Sequence, residues 1–267
     1  MNRTQIIEEI RRKKSFLCIG LDTDMDKIPE HLKSFQDPIF EFNKAVIDAT
    51  NEFAVAYKLN LAFYERHGVN GLKSLEKTVN YIPEGIFKIA DAKRGDIGNT
   101  SKQYAKTFFE TYAFDAITLS PYMGSDSIGP FLEFKDKWVI ILALTSNQGS
   151  KDFQMLKTGD DYLYEQVFKT SSKWGNTGNI MYVVGATHPE AFSGIRKIIP
   201  QHFILIPGVG AQGGTVRDIA RYALNDETGV LVNVSRGVIF PGNDEDFPIN
   251  IKDSALKYQQ QMAEFIN

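Results

Sequence analysis

One cysteine, Cys18, stands in 267 residues. A lone thiol excludes a disulfide framework within the chain and a cysteine-based zinc site. Histidine is scarce too. His31, His67, His188 and His202 are all there are, and only His188 follows a predicted strand end, thin provision for a metal centre. No charge of one sign dominates: 30 basic against 33 acidic residues leave −3. No run of like charge reads as a nucleic-acid tail, so an anionic ligand must be held by a few placed cations. No hydrophobic run reaches the length of a membrane span. The opening MNRTQIIEEIRRKK sets charge on both sides of a short apolar pair, unlike the apolar core of a signal peptide. The expectation is a cytoplasmic protein with neither membrane nor nucleic acid as partner. Asn99 (NTS) and Asn233 (NVS) match the glycosylation pattern, but without a secretory signal they read as chance.

What the chain does contain is alternation. Hydrophobic residues make up 43%, enough for a full core in one domain. Short apolar runs suggest strands over 15–22, 53–60, 86–93, 115–121, 138–145, 179–186, 203–208 and 230–237. Amphipathic stretches lie between them, such as DPIFEFNKAVIDATNE, TSKQYAKTFFETYA and TVRDIARYALN, and DSALKYQQQMAEFI follows the last strand. Eight strand–helix units in one chain fit a (β/α)8 TIM barrel over residues 1–267, with a doubly wound open sheet as the alternative. The polar SNQGSKDFQMLKTGDD after strand five suggests a loop over the barrel mouth.

A parallel barrel binds its ligands at the C-terminal ends of the strands. Those ends hold Asp22, Lys58 with Asn60, Asp91 with Lys93, Thr145 with Ser146, Gly208 with Gly210, and Ser235 with Arg236. The densest is FKIADAKRGDIGNTS, where a buried-looking strand closes on Asp91, Lys93, Arg94 and Asp96. Residues two apart share a strand face, so Asp91 and Lys93 point together. On strand two the small-residue face carries Ala54, Ala56, Lys58 and Asn60, which puts Lys58 beside them. Singly, Asp96 reads as well as a helix N-cap, and Lys58–Asp91 as a structural ion pair. Together, alternating lysines and aspartates meet the requirement that buried charges be paired. They favour protonated lysines over the free amine of a Schiff-base enzyme. A protonated lysine beside a carboxylate suits donating a proton to a developing carbanion.

Gly208, Gly210 and Gly213 in PGVGAQGG have G-x-G-x-x-G spacing. They come late in the chain, and the next strand ends in NVSRG without the acid a dinucleotide fold requires. In a barrel, glycine loops after strands seven and eight form a phosphate site, and Arg236 would grip phosphate oxygens there. Pairing of Arg236 with a surface acid is the alternative.

These residues resemble orotidine 5′-phosphate decarboxylase. DAKRGDIGNTS fits that family's D-x-K-x-x-D signature, YKLN its strand-two lysine, and PGVGAQGG with SRG its phosphate-gripping ends. The likeness runs from about Leu17 to Gly237, and the spacer and TSN after strand five resemble the longer bacterial branch. The resemblance implies decarboxylation of orotidine 5′-monophosphate to uridine 5′-monophosphate, the last step of de novo pyrimidine synthesis, without metal or organic cofactor. Lys58, Asp91, Lys93 and Asp96 would form a charged tetrad, with Lys93 the proton donor to C6 and Asp91 beside the substrate carboxylate. Asp96 and Thr100 would complete the site of a partner subunit in a homodimer. Asp22 and Lys58 would bind ribose hydroxyls, and Asn60 would join the substrate contacts. Ser146 would meet the pyrimidine, with Thr145 and Asn147 as competing registers. Gln212, Gly213, Gly214 and Arg236 would hold the phosphate. Two other classes remain: a metal-dependent sugar-phosphate decarboxylase or epimerase on the same barrel, and a non-catalytic nucleotide-binding barrel.

Overall fold

Eight apolar runs become eight parallel strands in the computed structural model, which describes residues 1–187, 189–210, 214–242 and 245–266. Strands one to eight are Leu17–Gly20, Ala56–Asn60, Phe87–Arg94, Ala116–Leu119, Trp138–Leu144, Ile180–Val184, Phe203–Pro207 and Val230–Val234. Each predicted run holds its strand to within a residue. Each strand pairs with its sequence neighbours, and strand eight closes on strand one with Leu17 opposite Val232. The sheet is therefore a closed barrel in a single domain, and the open-sheet alternative falls.

Alternation sorts the strand faces as expected. Tyr57 points outward, where its hydroxyl lies 2.7 Å from Thr50 Oγ1 on helix Pro38–Thr50. Lys58, the next residue, points inward. At the bottom of the barrel Phe87, Trp138 and Phe203 meet edge to face at 6.2 and 6.4 Å. They start strands three, five and seven, the alternate-strand layering of a packed barrel interior. Helix Arg3–Lys13, capped by Asn2 through a reciprocal capping box, covers this end. The Arg3 guanidinium stands over the Phe203 ring and donates to Thr177 O and Gln201 O at 2.7 Å each. With the bottom plugged, the opposite mouth is left for chemistry.

Two segments differ from expectation. The last helix starts at Phe247 and runs to Ala263, earlier than the predicted 253. Pro248 is compatible with a first helical turn, and Phe247, stacked on Phe42 at 5.8 Å, continues the buried stripe of Ile251 and Ala255. The polar stretch after strand five is not plain loop. It forms helix Ser150–Phe153 and a two-stranded ribbon, Lys157–Thr158 with Asp161–Tyr162, turned at Gly159 (φ 69°). Among the described residues no helix is long and apolar enough to cross a membrane.

Candidate active site

The charges gather where strands two and three end, with Asn60 in register opposite Asp91. Lys58 Nζ donates to Asp91 Oδ2 at 2.8 Å, and Lys93 Nζ donates to Asp91 Oδ1 at 2.5 Å. Just past strand one, Asp22 brings Oδ1 to 3.7 Å from Lys58 Nζ. The result is a line of alternating sign: Asp22, Lys58, Asp91, Lys93. Its inner part is buried, with side-chain exposures of 6% for Lys58 and 10% for Asp91, whereas that of Lys93 is 52%.

Burial alone would push Lys58 towards its neutral form. The Asp22 and Asp91 carboxylates outweigh it and raise the lysine above its ordinary range. For Asp91, burial pushes the carboxyl up, but Lys58 and Lys93 outweigh this and hold it well below the usual carboxylate range. Both directions agree on an ionised, mutually dependent pair. Cys18 lies beneath, with Sγ 3.5 Å from Asn233 Oδ1. Burial pushes its thiol up to about 12, so it is a packed neutral side chain.

Simple alternation does not account for the meeting of Asp91 and Lys93. Strand three advances from Ala90 to Arg94 while strand four advances only from Ile117 to Leu119, and Lys93 has φ 47°. The contact is made across a bulge. Thr118 of strand four fills it. Its hydroxyl accepts from Lys93 N at 2.9 Å and donates to Asp91 Oδ1 at 3.1 Å. The strand-end reading passes over strand four, although a lone threonine on the inward face of AITL was a visible signal.

Asp96 sits apart from the line. Its carboxylate accepts from Ile97 N at 2.8 Å, and its carbonyl accepts from the Ser101 hydroxyl at 2.7 Å. Helix Gly98–Lys106 starts after Ile97 and has no side-chain cap, so the N-cap reading of Asp96 fails. Among the described residues no lysine pairs with Asp96. Thr100 is exposed on the first turn of the same helix. One chain thus brings Lys58, Asp91 and Lys93 together and leaves Asp96, half-buried, and Thr100, exposed, apart from them.

A cleft of about 210 Å³ joins this line to the ends of strands seven and eight. Asp22, Lys58, Asn60 and Asp91 line it, with Gly208, Ser235 and Arg236 from the late strands. A larger cleft of about 390 Å³, lined by residues such as Asp37, His67 and Lys77, lies between helices without these charges, so size does not mark the site. Asp22 Oδ1 and Ser235 Oγ are buried without a hydrogen-bond partner among the described residues. Hydroxyl donors of a ligand would satisfy the carboxylate.

Gly208 (φ 97°) and Gly210 (φ 78°) take left-handed backbone that favours glycine. Gly210 N donates to Gly214 O at 3.0 Å. Gly214 presses on the segment just past strand six, where an added Cβ would stand 2.5 Å from Ala186 Cβ. Gln212 and Gly213, and likewise His188, lie outside the described residues. Arg236 is exposed in the first turn after strand eight. Among the described residues it pairs with no carboxylate, so the surface-acid alternative finds no partner there. After strand five, Thr145 Oγ1 donates to Asn147 Oδ1 at 2.6 Å, and Thr145 N donates to Gln154 Oε1 at 2.7 Å. Among the described residues the Ser146 hydroxyl takes no hydrogen-bond partner.

Comparison with known proteins agrees with this geometry. The family model described as orotidine 5′-phosphate decarboxylase / HUMPS family matches residues 15–246. An orotidine 5′-phosphate decarboxylase of Flavobacterium johnsoniae is 55% identical, covering 100% of this chain and 99% of the relative. One of Bacteroides fragilis is 54% identical over 99% and 98%. The solved OMP decarboxylase of Leishmania donovani superposes with a TM-score of 0.86 at 36% identity, covering 99% of this chain and 98% of that one.

Proposed function

The chain belongs to the orotidine 5′-phosphate decarboxylase / HUMPS family, and we propose that its line of alternating charges carries the decarboxylation. The reaction converts orotidine 5′-monophosphate to uridine 5′-monophosphate and carbon dioxide, which makes the chain a carboxy-lyase of pyrimidine biosynthesis. One observation supports the site assignment above others: the buried Asp91 carboxylate held between two lysine ammonium groups, beside a cleft that ends at Arg236.

The difficult species is a carbanion at C6, which the pyrimidine delocalises poorly. The Lys93 ammonium, at the open end of the line, stabilises that charge as the C–C bond breaks and then gives its proton to C6. This is preorganised electrostatics combined with general acid catalysis. Asp91 lies beside the leaving carboxylate. Lys58 holds Asp91 and, with Asp22 and Asn60, faces the ribose hydroxyls. Ser146 meets the pyrimidine, since Thr145 is engaged with both Asn147 and Gln154. Arg236 grips the phosphate with Gln212, Gly213 and Gly214. These groups suffice without a metal or organic cofactor, and the whole chain serves as one cytoplasmic catalytic domain.

The working unit is a homodimer in which Asp96 and Thr100 complete the partner's site. Their separation from the line of charges supports this, as do the exposed apolar side chains of Ile97, Tyr122 and Met123 nearby. An added Cβ at Gly95, next to Asp96, would stand 4.0 Å from Met123 Sδ. The test is ultraviolet-monitored turnover of orotidine 5′-monophosphate in EDTA, with Lys93→Ala alongside. Turnover that vanishes in the variant is expected. A folded wild type that is inactive in EDTA but restored by Mg²⁺ would point to metal-dependent chemistry. Tight uridine 5′-monophosphate binding without turnover would point to a binding protein.

A further inference from the structure

Strand three is irregular where its charges lie. Lys93 has φ 47°, a left-handed backbone that disfavours a side-chain-bearing residue by roughly 1–2 kcal/mol. A bulge also interrupts the ladder and leaves an amide in need of a partner. The Thr118 hydroxyl is that partner, at 2.9 Å from Lys93 N, and it donates in turn to Asp91 Oδ1 at 3.1 Å. Thr118 is 1% exposed. One oxygen therefore accepts from the backbone of Lys93 and donates to the carboxylate that Lys93 also holds. Among small side chains only a hydroxyl does both from one atom.

We propose that Thr118 is a positioning residue for the decarboxylation. Its hydroxyl stabilises the left-handed bulge and fixes the Asp91 carboxylate, so that Lys93 Nζ is aimed at the reacting carbon. The proposal rests on the reading of Lys93 as proton donor. Thr118 itself transfers no proton and touches no substrate. The Lys93 side chain is long and half-exposed, so neighbouring packing alone fixes its tip poorly. Two anchors define its direction, the bulged backbone at its root and Asp91 at its tip, and Thr118 is bonded to both.

Thr118→Val keeps shape and β-branching but removes the oxygen, whereas Thr118→Ser keeps the oxygen and loses the methyl. The expected result for Thr118→Val is a fall in kcat of about a hundredfold, the scale of an ångström-level misplacement. KM for orotidine 5′-monophosphate and Kd for uridine 5′-monophosphate should stay within about threefold, because the groups that bind the ground state are untouched. Thr118→Ser should keep kcat within about fivefold of wild type although it leaves more empty space, since the oxygen remains. If Thr118→Val does not fold, Thr118→Ser against Thr118→Ala supplies the same contrast of one oxygen. A valine variant with wild-type kcat overturns the proposal. So does a serine variant as impaired as valine, which would mark a packing role, or a loss confined to KM. Lys93→Ala in the same assay separates the two levels of the argument. If it retains full activity, the proton-donor reading fails and this proposal fails with it. If it is inactive while Thr118→Val is unimpaired, the positioning role alone fails.

Discussion

Two lysines flank one carboxylate, yet removing each has a different consequence. Lys93→Ala leaves Asp91 bonded to Lys58 at 2.8 Å and to Thr118 at 3.1 Å, so no buried charge loses its last partner. A half-exposed pair contributes about 0–1 kcal/mol, so Tm should move by no more than roughly 2–4 °C. Activity should respond on another scale. An ammonium about 4 Å from a developing carbanion, at an effective dielectric of ~20, contributes about 4 kcal/mol, or close to a thousandfold in rate. Proton donation by a positioned acid adds roughly 10²–10⁴. Together these give a fall in kcat of about 10⁵ or more. Lys58→Met is the contrast. It breaks a fully buried pair and should cost about 3–5 kcal/mol of stability. The assay is ultraviolet-monitored turnover at saturating substrate, paired with denaturant unfolding of the same preparations. A Lys93→Ala protein that keeps more than about 1% of wild-type kcat refutes the assignment, because that loss is smaller than charge stabilisation alone predicts. A Lys93→Ala protein destabilised as much as Lys58→Met would make Lys93 a structural residue.

Three further outcomes follow from the same geometry. Arg236→Ala should lower kcat/KM on orotidine 5′-monophosphate by roughly 10²–10⁴, the loss of two charge-assisted hydrogen bonds. It should leave a substrate lacking the phosphate nearly unaffected, and an equal effect on both would remove Arg236 from the phosphate site. Mixing inactive Lys93→Ala with inactive Asp96→Ala should restore about a quarter of wild-type activity, because half the dimers are mixed and each mixed dimer holds one intact site; no recovery after verified subunit exchange would place Asp96 in its own chain's site. His202 gives a pH signature. Burial, aided by Arg3 and Arg196, lowers its pKa to about 4, against about 6.5 in the unfolded chain. Its contribution is fully present above about 6.5 and is lost as pH falls towards 4, because the unfolded state takes up the proton that the folded one refuses. His202→Phe should flatten the stability profile in that window by up to about 2–3 kcal/mol, and unfolding curves at pH 7 and 4.5 would reveal an unchanged slope if the reasoning is wrong.

Much of this was legible in the sequence because barrel strands announce themselves. Strand–helix alternation fixes the strand ends, and the strand ends point to Lys58, Asp91, Lys93 and Arg236 as candidates. The period of two identified the inward face of strand two, since Lys58 and Tyr57 part as it requires. It failed to describe strand three, where a bulge joins Asp91 to Lys93. A bulge depends on register against strand four, and register is a relation between segments that no single window of sequence contains. Thr118 was passed over for the same reason: a buried threonine reads as filler until its two partners are known. The last helix begins earlier than its amphipathic stretch, because Pro248 is permitted in a first helical turn.

The fold also bears on where the rate acceleration arises. Repulsion between Asp91 and the substrate carboxylate is a tempting source. At ~4 Å and an effective dielectric of ~20 it supplies about 4 kcal/mol, against the roughly 8–23 kcal/mol by which enzymes lower barriers. The geometry reduces it further. Asp91 already accepts from Lys58, Lys93 and Thr118, so much of its charge is answered before substrate arrives. With Lys93 as the proposed proton donor, those same bonds would orient it, which suits Asp91 better to holding the acid than to pushing the leaving group away. The remainder must come from groups remote from C6. On the proposed reading, phosphate binding at the Arg236 end would act on a part of the substrate that does not react, and such energy appears as rate only when it is used to position and desolvate the reacting end. The cleft that joins Arg236 to Asp91 is the physical link that this account requires.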